Sequence, residues 1–242
     1  ITAVGDAAYS MEIWREALEY YDDACRTDQF LGCEKYGFMF YEDKLPASYK
    51  RWRSERKLER AVQYIEIASR LSNITLLSLV DVGHVDEIIE SGLTLKDNAL
   101  IKAKTIYEKY NTPSISDDTG LEVHALNGKP GVFSARYAGE PSNAEQNIKK
   151  LLLNLNQVQD RRARFRTVIC LKTSISEVFF EGVVEGVITT KTMGQGGFGY
   201  DPIFLPNGYC QTFSQMTLDE KNKISHRGVA VGKLVTYLNN LH

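Results

Sequence analysis

Several features that assign a protein quickly to a class are scarce or missing in this sequence. Among its 242 residues there are only four cysteines and six prolines, and the formal net charge is −2. No CxxC pair or Cys/His cluster has the spacing of a zinc site. No apolar run approaches the length needed to span a bilayer. The nearly balanced charge gives no reason to expect a nucleic-acid or membrane partner.

The composition is that of an ordinary globular protein, with 43% hydrophobic and 25% charged residues. The length fits one large domain, or one medium domain with a small addition. Residues 1–10 contain no basic segment followed by an apolar core, so we predict no secretory signal peptide. Cys170 and Cys210 lie far apart in apolar or loop contexts, which is typical of buried or free thiols of a cytosolic protein, whereas Cys25 and Cys33 could form a disulfide if the protein were exported.

The first part of the chain predicts helices. Apolar residues at helical spacing occur over 11–25 and 31–41, and the alanine and aromatic spacing of the first segment recurs in weakened form over 61–69. This pattern resembles the cysteine-rich, tetratricopeptide-like helical repeats, which would offer a surface to a protein partner. Two simple amphipathic helices are the alternative. We assign residues 1–52 to this all-helical region.

From Ile74 onward, strands and helices are mixed. We predict strands over 74–80, 164–172 and 178–190, of which the last two pair with each other, and helices over 94–110, 143–155 and 218–241. Gly182 and Gly186 suggest bulges or a sharp twist in the last strand. The order predicts an α/β fold, with a twisted mixed β-sheet flanked by helices.

One candidate site is the acidic pair Asp117–Asp118, which follows a β-prone run and precedes Thr119 and Gly120. We expect the pair at a strand end, with Gly120 allowing a sharp turn beside a ligand. Carboxylates suit Mg²⁺, and one next to such a metal can orient or deprotonate a water. Glu90 is another acid before a glycine and a helix; alternatively it is an exposed loop acid.

A second candidate site has the groups that a purine pocket needs. Phe198 stands between glycines, so its ring is free to stack on a base, with Tyr200 beside it. Asp201 could accept from a ring N–H, while His226 and Arg227 could donate to a keto oxygen at the purine 6-position. Taken alone, each segment would be read as a tight turn or a helix surface.

These segments resemble the inosine triphosphate pyrophosphatase family. The matching stretches occur in the family's order, at 90–99, 116–139, 165–167, 194–202 and 221–227. The resemblance implies Mg²⁺-dependent hydrolysis of ITP, dITP and XTP to the monophosphate and pyrophosphate. It also implies a cytosolic homodimer.

The resemblance assigns roles to individual residues. It makes Asp118 the general base and a metal-associated residue, Glu90 a further metal ligand, and Thr119 a neighbour of the phosphates. The expected nucleotide-binding residues form one set: Phe198, Gly199, Tyr200 and Asp201 for the base, Lys221 for the nucleotide, and His226 and Arg227 for the 6-keto group.

The chain departs from the family before the first shared helix. Where the family has a strand and a phosphate loop, Trp52 and Ser54 take the loop's polar positions, and Lys57 aligns with its lysine. Lys57 is therefore our candidate phosphate-binding residue, and we assign residues 53–242 to the enzyme-like domain. An active pyrophosphatase is the favoured hypothesis because the downstream catalytic residues persist. The alternative is a nucleotide-binding protein that has lost turnover and uses its helical repeat to bind a partner.

Overall fold

A computed structural model describes residues 76, 77, 79, 82, 84, 86 and 88–240. The chain divides into two compact units, residues 1–86 and 87–242. The predicted helical repeat and Lys57 lie outside the described residues. Of the predicted strand 74–80, the described residues 76, 77 and 79 are not in a strand.

Over the residues that the structure describes, the second unit is built on a four-stranded antiparallel sheet in the order β1-β2-β3-β4. The strands follow the chain order: β1 is Ser114–Val123, β2 Arg162–Lys172, β3 Glu177–Ile188 and β4 Phe204–Pro206. The predicted pairing of the two long strands is confirmed. With helices against it, the sheet confirms the predicted α/β class, and within the described residues every strand pair is antiparallel.

The glycines of β3 serve close packing. β2 and β3 keep one continuous register from Arg162 opposite Val187 to Lys172 opposite Glu177, so the predicted bulges are wrong for this pair. A Cβ atom at Gly182 would lie 1.8 Å from the carbonyl oxygen of His226. Only a residue without a side chain allows the backbone of the last helix to approach the strand so closely.

Two helices agree with their predicted ranges. Helix α1 is Leu95–Tyr110, and Thr94 caps it by accepting a hydrogen bond from the Asp97 amide at 3.1 Å. Helix α2 is Ala144–Asn154, capped in the same way by Asn143. These caps satisfy amides that have no partner inside the helix.

The predicted single helix over 218–241 is instead two helices. Helix α3 is Leu218–Ile224 and α4 is His226–Asn239. Ser225 ends the first and caps the second, its hydroxyl accepting from the Gly228 amide at 3.0 Å. The break has a functional consequence, because it places His226 and Arg227 in the first turn of a new helix.

The two faces of the sheet are covered differently. Helix α1 packs its small side chains, Ala99 and Ala103, against Val168 and Cys170 on one face. The opposite face carries α4 and the main core, whose members include Leu121, Leu151, Leu155, Phe165, Phe204 and Phe213. No helix of the described residues is long and apolar enough to cross a membrane.

Candidate active site

The acidic pair lies inside β1 and not at a strand end, which corrects the sequence-based expectation. Successive side chains of a strand point to opposite faces, so Asp117 and Asp118 are separated by the sheet. Asp118 contacts α1, whereas Asp117 contacts α4. The doublet therefore takes part in two sites.

Gly120 has a different purpose from the predicted turn. The strand runs on through it to Val123. A Cβ atom at Gly120 would lie 2.5 Å from the carbonyl oxygen of Gly131. The glycine thus admits the 3₁₀ turn Gly131–Arg136 against β1, where the Ser134 hydroxyl accepts a hydrogen bond from the Leu121 amide at 2.9 Å.

On the α1 face, three charged side chains meet. The ammonium of Lys102 lies 2.9 Å from Oε1 of Glu90 and 3.4 Å from Oδ1 of Asp118. Lys102 and Asp118 are largely shielded from solvent, whereas the Glu90 side chain is 32% exposed. The two carboxylates thus face one point, and the Lys102 ammonium lies there.

Asn98 joins the Asp118 carboxylate to the segment that carries Glu90. Its amide nitrogen donates to Oδ2 of Asp118 at 3.2 Å, and its oxygen accepts from the Gly92 amide at 2.8 Å. Asn98 is fully buried. Because the Gly92 N–H can only donate, the amide of Asn98 must turn its NH₂ group towards Asp118.

The surroundings of Asp118 raise the pKa of its carboxyl above the usual range. Burial is the main cause, and the negative charges of Glu90 and Asp117 act in the same direction. The Lys102 ammonium and the Asn98 hydrogen bond act against the rise. A carboxylate with a raised pKa is a stronger base, which suits proton abstraction near neutral pH.

The chemistry of this cluster fits a magnesium ion that shares its coordination with a substrate. Glu90 and Asp118 offer hard oxygen ligands directed at one point, and Mg²⁺ usually takes one or two carboxylates together with substrate phosphates. Among the described residues, no group of three or more His, Cys, Asp or Glu side chains could hold a metal unaided. Glu90 and Asp118 are the residues of this cluster that could hold such an ion.

On the opposite face, Asp117 binds Arg227. Nη2 of Arg227 donates to Oδ2 of Asp117 at 2.9 Å and to the hydroxyl of Thr119 at 3.3 Å. The hydroxyls of Thr119 and Thr167 lie 2.7 Å apart, which ties β1 to β2 at the same point. The hydroxyl of Thr119 thus lies beside Arg227, on the face away from Asp118.

His226 is buried and neutral. Its ring stacks on Phe165 with centroids 4.7 Å apart and planes 14° apart. Burial lowers the pKa of His226 well below its usual value, and the positive charges of Arg227 and Lys221 lower it further. Its Nδ1 is buried with no hydrogen-bond partner among the described residues, so it is a polar group that a ligand could satisfy.

The glycine-rich segment before Pro202 folds onto its own aspartate. Asp201 accepts from the Phe198 amide at 2.8 Å and from the Lys221 ammonium at 2.7 Å. That ammonium also lies 4.9 Å from the centroid of the Phe198 ring. Gly199 has a φ of 64°, a conformation that residues with a side chain rarely adopt.

Tyr200 belongs to the core and not to an open aromatic face. It is 4% exposed, and its hydroxyl donates to the carbonyl oxygen of Ser134 at 3.0 Å. Since Ser134 also accepts from Leu121 of β1, the contact ties the Phe198 segment to the acidic strand.

Comparison with protein-family models gives one decisive match. The model of the Ham1 family matches residues 53–237. The chain belongs to the Ham1 family.

Curated relatives of this Ham1 chain have a named activity. The dITP/XTP pyrophosphatase of Christiangramia forsetii is 51% identical over 166 residues, covering 69% of this chain and 87% of the relative. That of Flavobacterium psychrophilum is 48% identical over 177 residues, covering 73% and 93%.

Solved Ham1 structures share the fold. The Ham1 protein of Coxiella burnetii superposes with a TM-score of 0.70 at 36% identity, covering 74% of this chain and 94% of that one. The Staphylococcus aureus Ham1 protein superposes with a TM-score of 0.64 at 41% identity, covering 65% and 82%.

The structure of this Ham1 chain groups the predicted site residues in three places. Glu90 and Asp118 meet at Lys102; Thr119, His226 and Arg227 lie across the strand; and Phe198, Gly199, Tyr200, Asp201 and Lys221 form the glycine-rich segment with its support. Sequence reasoning missed Asn98 and Lys102. Their spacing of four residues on a predicted helix, which places both on one face, could have found them.

Proposed function

We propose that this chain hydrolyses non-canonical purine nucleoside triphosphates, namely ITP, dITP and XTP, to the monophosphate and pyrophosphate. The observation that carries the proposal is the two-sided strand β1. One face bears the Glu90–Lys102–Asp118 cluster, and the other bears the buried pair His226 and Arg227. Membership of the Ham1 family and the named activity of the relatives support the same reaction.

The base is recognised by His226 and Arg227 through the 6-keto oxygen. An adenine has an amino group at that position and offers no acceptor there. A buried donor left unpaired costs about 1–3 kcal/mol, so the site disfavours adenine nucleotides. Phe198 stacks on the base, and Gly199, Tyr200 and Asp201 hold this segment in place.

Asp118 acts as the general base. Its carboxylate takes the proton of a water, whose oxygen attacks the α-phosphorus of the substrate. The bond from that phosphorus to the bridging oxygen of the β-phosphate breaks, and pyrophosphate leaves. Asn98 holds the Asp118 carboxylate in a fixed orientation while this occurs.

Glu90 and Asp118 would hold Mg²⁺, the proposed cofactor. When bound, the ion supplies positive charge that offsets the charge of the phosphates. Lys102, Lys57 and Lys221 are the proposed cationic partners of the nucleotide, and Thr119 is a proposed substrate contact. The cluster at Lys102 supports the placement of the ion because both carboxylates already face one cation there.

We also propose a cytoplasmic homodimer, as the family resemblance implies. The free thiols of Cys170 and Cys210 are consistent with a reducing compartment. Light scattering coupled to size-exclusion chromatography tests the oligomeric state: a mass near 27.3 kDa, that of one chain, would contradict the dimer. Residues 1–52 are the proposed site for a protein partner.

The function is tested by measuring pyrophosphate release from ITP, XTP, dITP, GTP and ATP. We expect rapid release from ITP, dITP and XTP, weak release from ATP, and loss of release when EDTA removes Mg²⁺. Release from ATP as fast as from ITP would contradict the base selectivity. Tight ITP binding in calorimetry without any release would instead support the non-hydrolysing alternative.

A further inference from the structure

We infer that Asp117 is a positioning residue for base recognition, which holds Arg227 in place and does not itself take the proton of the attacking water. This inference rests on the proposed function of the site. The two adjacent carboxylates, which look like a single acidic motif in the sequence, then have different roles. Asp118 serves the reaction, and Asp117 serves the choice of base.

The contact between Asp117 and Arg227 is close and shielded. Nη2 and Oδ2 are 2.9 Å apart, and the side chains are 8% exposed for Arg227 and 15% for Asp117. A charged pair that is shielded from water is stronger and better defined than one at the surface. The pair therefore fixes the guanidinium in one orientation.

The threonines next to this pair hold the carboxylate in turn. The hydroxyl of Thr119 lies 3.5 Å from Oδ2 of Asp117 and 2.7 Å from the hydroxyl of Thr167, which is fully buried. Asp117 and Thr119 lie two residues apart on the strand, so both face Arg227. Through Thr119, the carboxylate of Asp117 is thus connected to both β1 and β2.

The backbone of α4 is fixed from the other side. Gly182 of β3 lets the carbonyl of His226 pack directly on the strand, because a Cβ atom there would lie 1.8 Å from that oxygen. Arg227 is therefore held at its backbone by β3 and at its guanidinium by β1. Both restraints place it next to His226, the other proposed base contact.

The position of Asp117 argues against a direct role in the reaction. Its neighbour Asp118 and the more distant Glu90 converge on Lys102 from the α1 side of the sheet. Asp117 faces the α4 side, and its carboxylate is engaged by a guanidinium. Removing it should change how well the purine is bound and leave the rate of bond cleavage nearly intact.

The test compares Asp117→Asn with Asp118→Asn in steady-state hydrolysis of ITP. For Asp117→Asn we expect KM to rise by ~10–100-fold, since hydrogen bonds to charged groups are worth that range, while kcat changes less than about threefold. The ratio of kcat/KM for ITP to kcat/KM for ATP should decrease. For Asp118→Asn we expect the reverse, a loss of kcat with KM little changed.

A double-mutant cycle makes the test specific for positioning. IMP binding is measured by calorimetry in EDTA, so neither turnover nor Mg²⁺ contributes. If Asp117 acts through Arg227, the double variant Asp117→Asn/Arg227→Met binds IMP no more weakly than Arg227→Met alone. Additive losses would overturn the inference, and so would a kcat of Asp117→Asn as low as that of Asp118→Asn.

A matched control lies on the same strand. Glu122 forms an ion pair with Arg164 at 2.7 Å, and Glu122→Gln should leave KM and base preference unchanged. If Asp117→Asn fails to fold, Asp117→Glu replaces it: a raised KM with kcat within about threefold of wild type supports the inference, and a kcat as low as that of Asp118→Asn overturns it. Failure of the wild-type enzyme to hydrolyse ITP or XTP would overturn the proposed function, which is a separate outcome.

Discussion

The two faces of β1 differ in charge, in the secondary structure that covers them and in the chemistry they can support. The α1 face gathers two carboxylates around Lys102, with hydrogen bonds from Asn98 and charges that remain partly accessible. The α4 face pairs one carboxylate with Arg227 beside a neutral, buried histidine that stacks on Phe165. The first arrangement suits an ion and phosphates, and the second suits a flat, polar base.

One strand can therefore contribute to two sites, one on each face of the sheet. Because neighbouring side chains point to opposite faces, a doublet of identical residues acquires two environments. Burial raises the pKa of Asp118, whereas Asp117 is paired with a guanidinium. If the two faces are independent, a substitution on one face leaves the function of the other face unchanged.

The largest expected effect is on the α1 face. Asp118→Asn removes the general base, and we expect kcat for ITP to fall by ~10²–10⁴-fold. IMP affinity in EDTA should stay within about threefold, because the base site lies on the other face. Glu122→Gln is the control on the same strand and should retain full activity. A variant Asp118→Asn that loses IMP binding would show that the faces are not separate.

The next effect concerns the support of the base segment. Asp201 and Lys221 form a buried ion pair, with side chains 3% and 7% exposed. Asp201→Asn leaves the Lys221 ammonium buried without its counter-charge, which should lower the free energy of unfolding by about 3–5 kcal/mol. Urea denaturation measures the change.

An exposed ion pair provides the control for this prediction. Glu145 and Lys149 pair at 2.9 Å on the surface of α2. Glu145→Gln should leave the urea midpoint almost unchanged, because surface pairs contribute little. Equal losses from Asp201→Asn and Glu145→Gln would contradict the assignment of the buried pair as the support of the Phe198 segment.

A smaller effect is expected on stability at the proposed metal site. In metal-free protein, Lys102→Met leaves Glu90 and Asp118 without the cation that they share. In the absence of Mg²⁺, we expect the free energy of unfolding of Lys102→Met to be about 1–3 kcal/mol lower than that of wild type. Adding Mg²⁺ should raise the Tm of the variant more than the Tm of wild type.

Lys104 offers a control on the same helix, since it makes only an exposed pair with Glu108 among the ion pairs described. Lys104→Met should not change the response of Tm to Mg²⁺. If Lys102→Met and Lys104→Met respond to Mg²⁺ as wild type does, the ion is not held at Lys102.

The smallest predicted effect is a pH dependence on the α4 face. Burial lowers the pKa of His226 well below 6.5, so this histidine stays neutral in the folded protein while the unfolded chain binds a proton. Its contribution to stability is full above about pH 6.5 and is lost as the pH falls. Tm of His226→Gln should therefore fall less between pH 7.5 and 5 than Tm of wild type.

His124 is the control for this pH effect. It is exposed and pairs with Asp160 at the surface, so His124→Gln should keep most of the wild-type fall in Tm. A wild-type Tm as insensitive to pH as that of His226→Gln would contradict the neutral, buried histidine.

Local signals in the sequence were sufficient for most elements. The apolar spacing inside α1 and α2 gave both helix ranges, and the structure shows that Thr94 and Asn143 cap them. The pairing of β2 with β3 followed from two adjacent β-prone runs. The break at Ser225 was missed because apolar spacing continues across it, and only the cap geometry reveals a new helix.

The site was predicted in part. Glu90, Asp118, His226 and Arg227 were selected on the strength of the family resemblance, and their roles stay predictions; the structure places Glu90 and Asp118 at Lys102 and Arg227 at Asp117. Their distribution over two faces was not predicted, because an adjacent pair of acids was expected at a strand end. Asn98 and Lys102 were missed because their importance depends on what α1 packs against.

The sequence by itself determined the family, the α/β class and the residue types of a nucleotide pyrophosphatase, because these are written in local patterns and motifs. Tertiary structure alone decided which acid meets Lys102 and which meets Arg227. It also decided that Gly120 and Gly182 serve close backbone contacts and not a turn or a bulge. Those outcomes depend on which element packs against each face of the sheet, and packing between distant segments leaves no mark on the residues next to them in the chain.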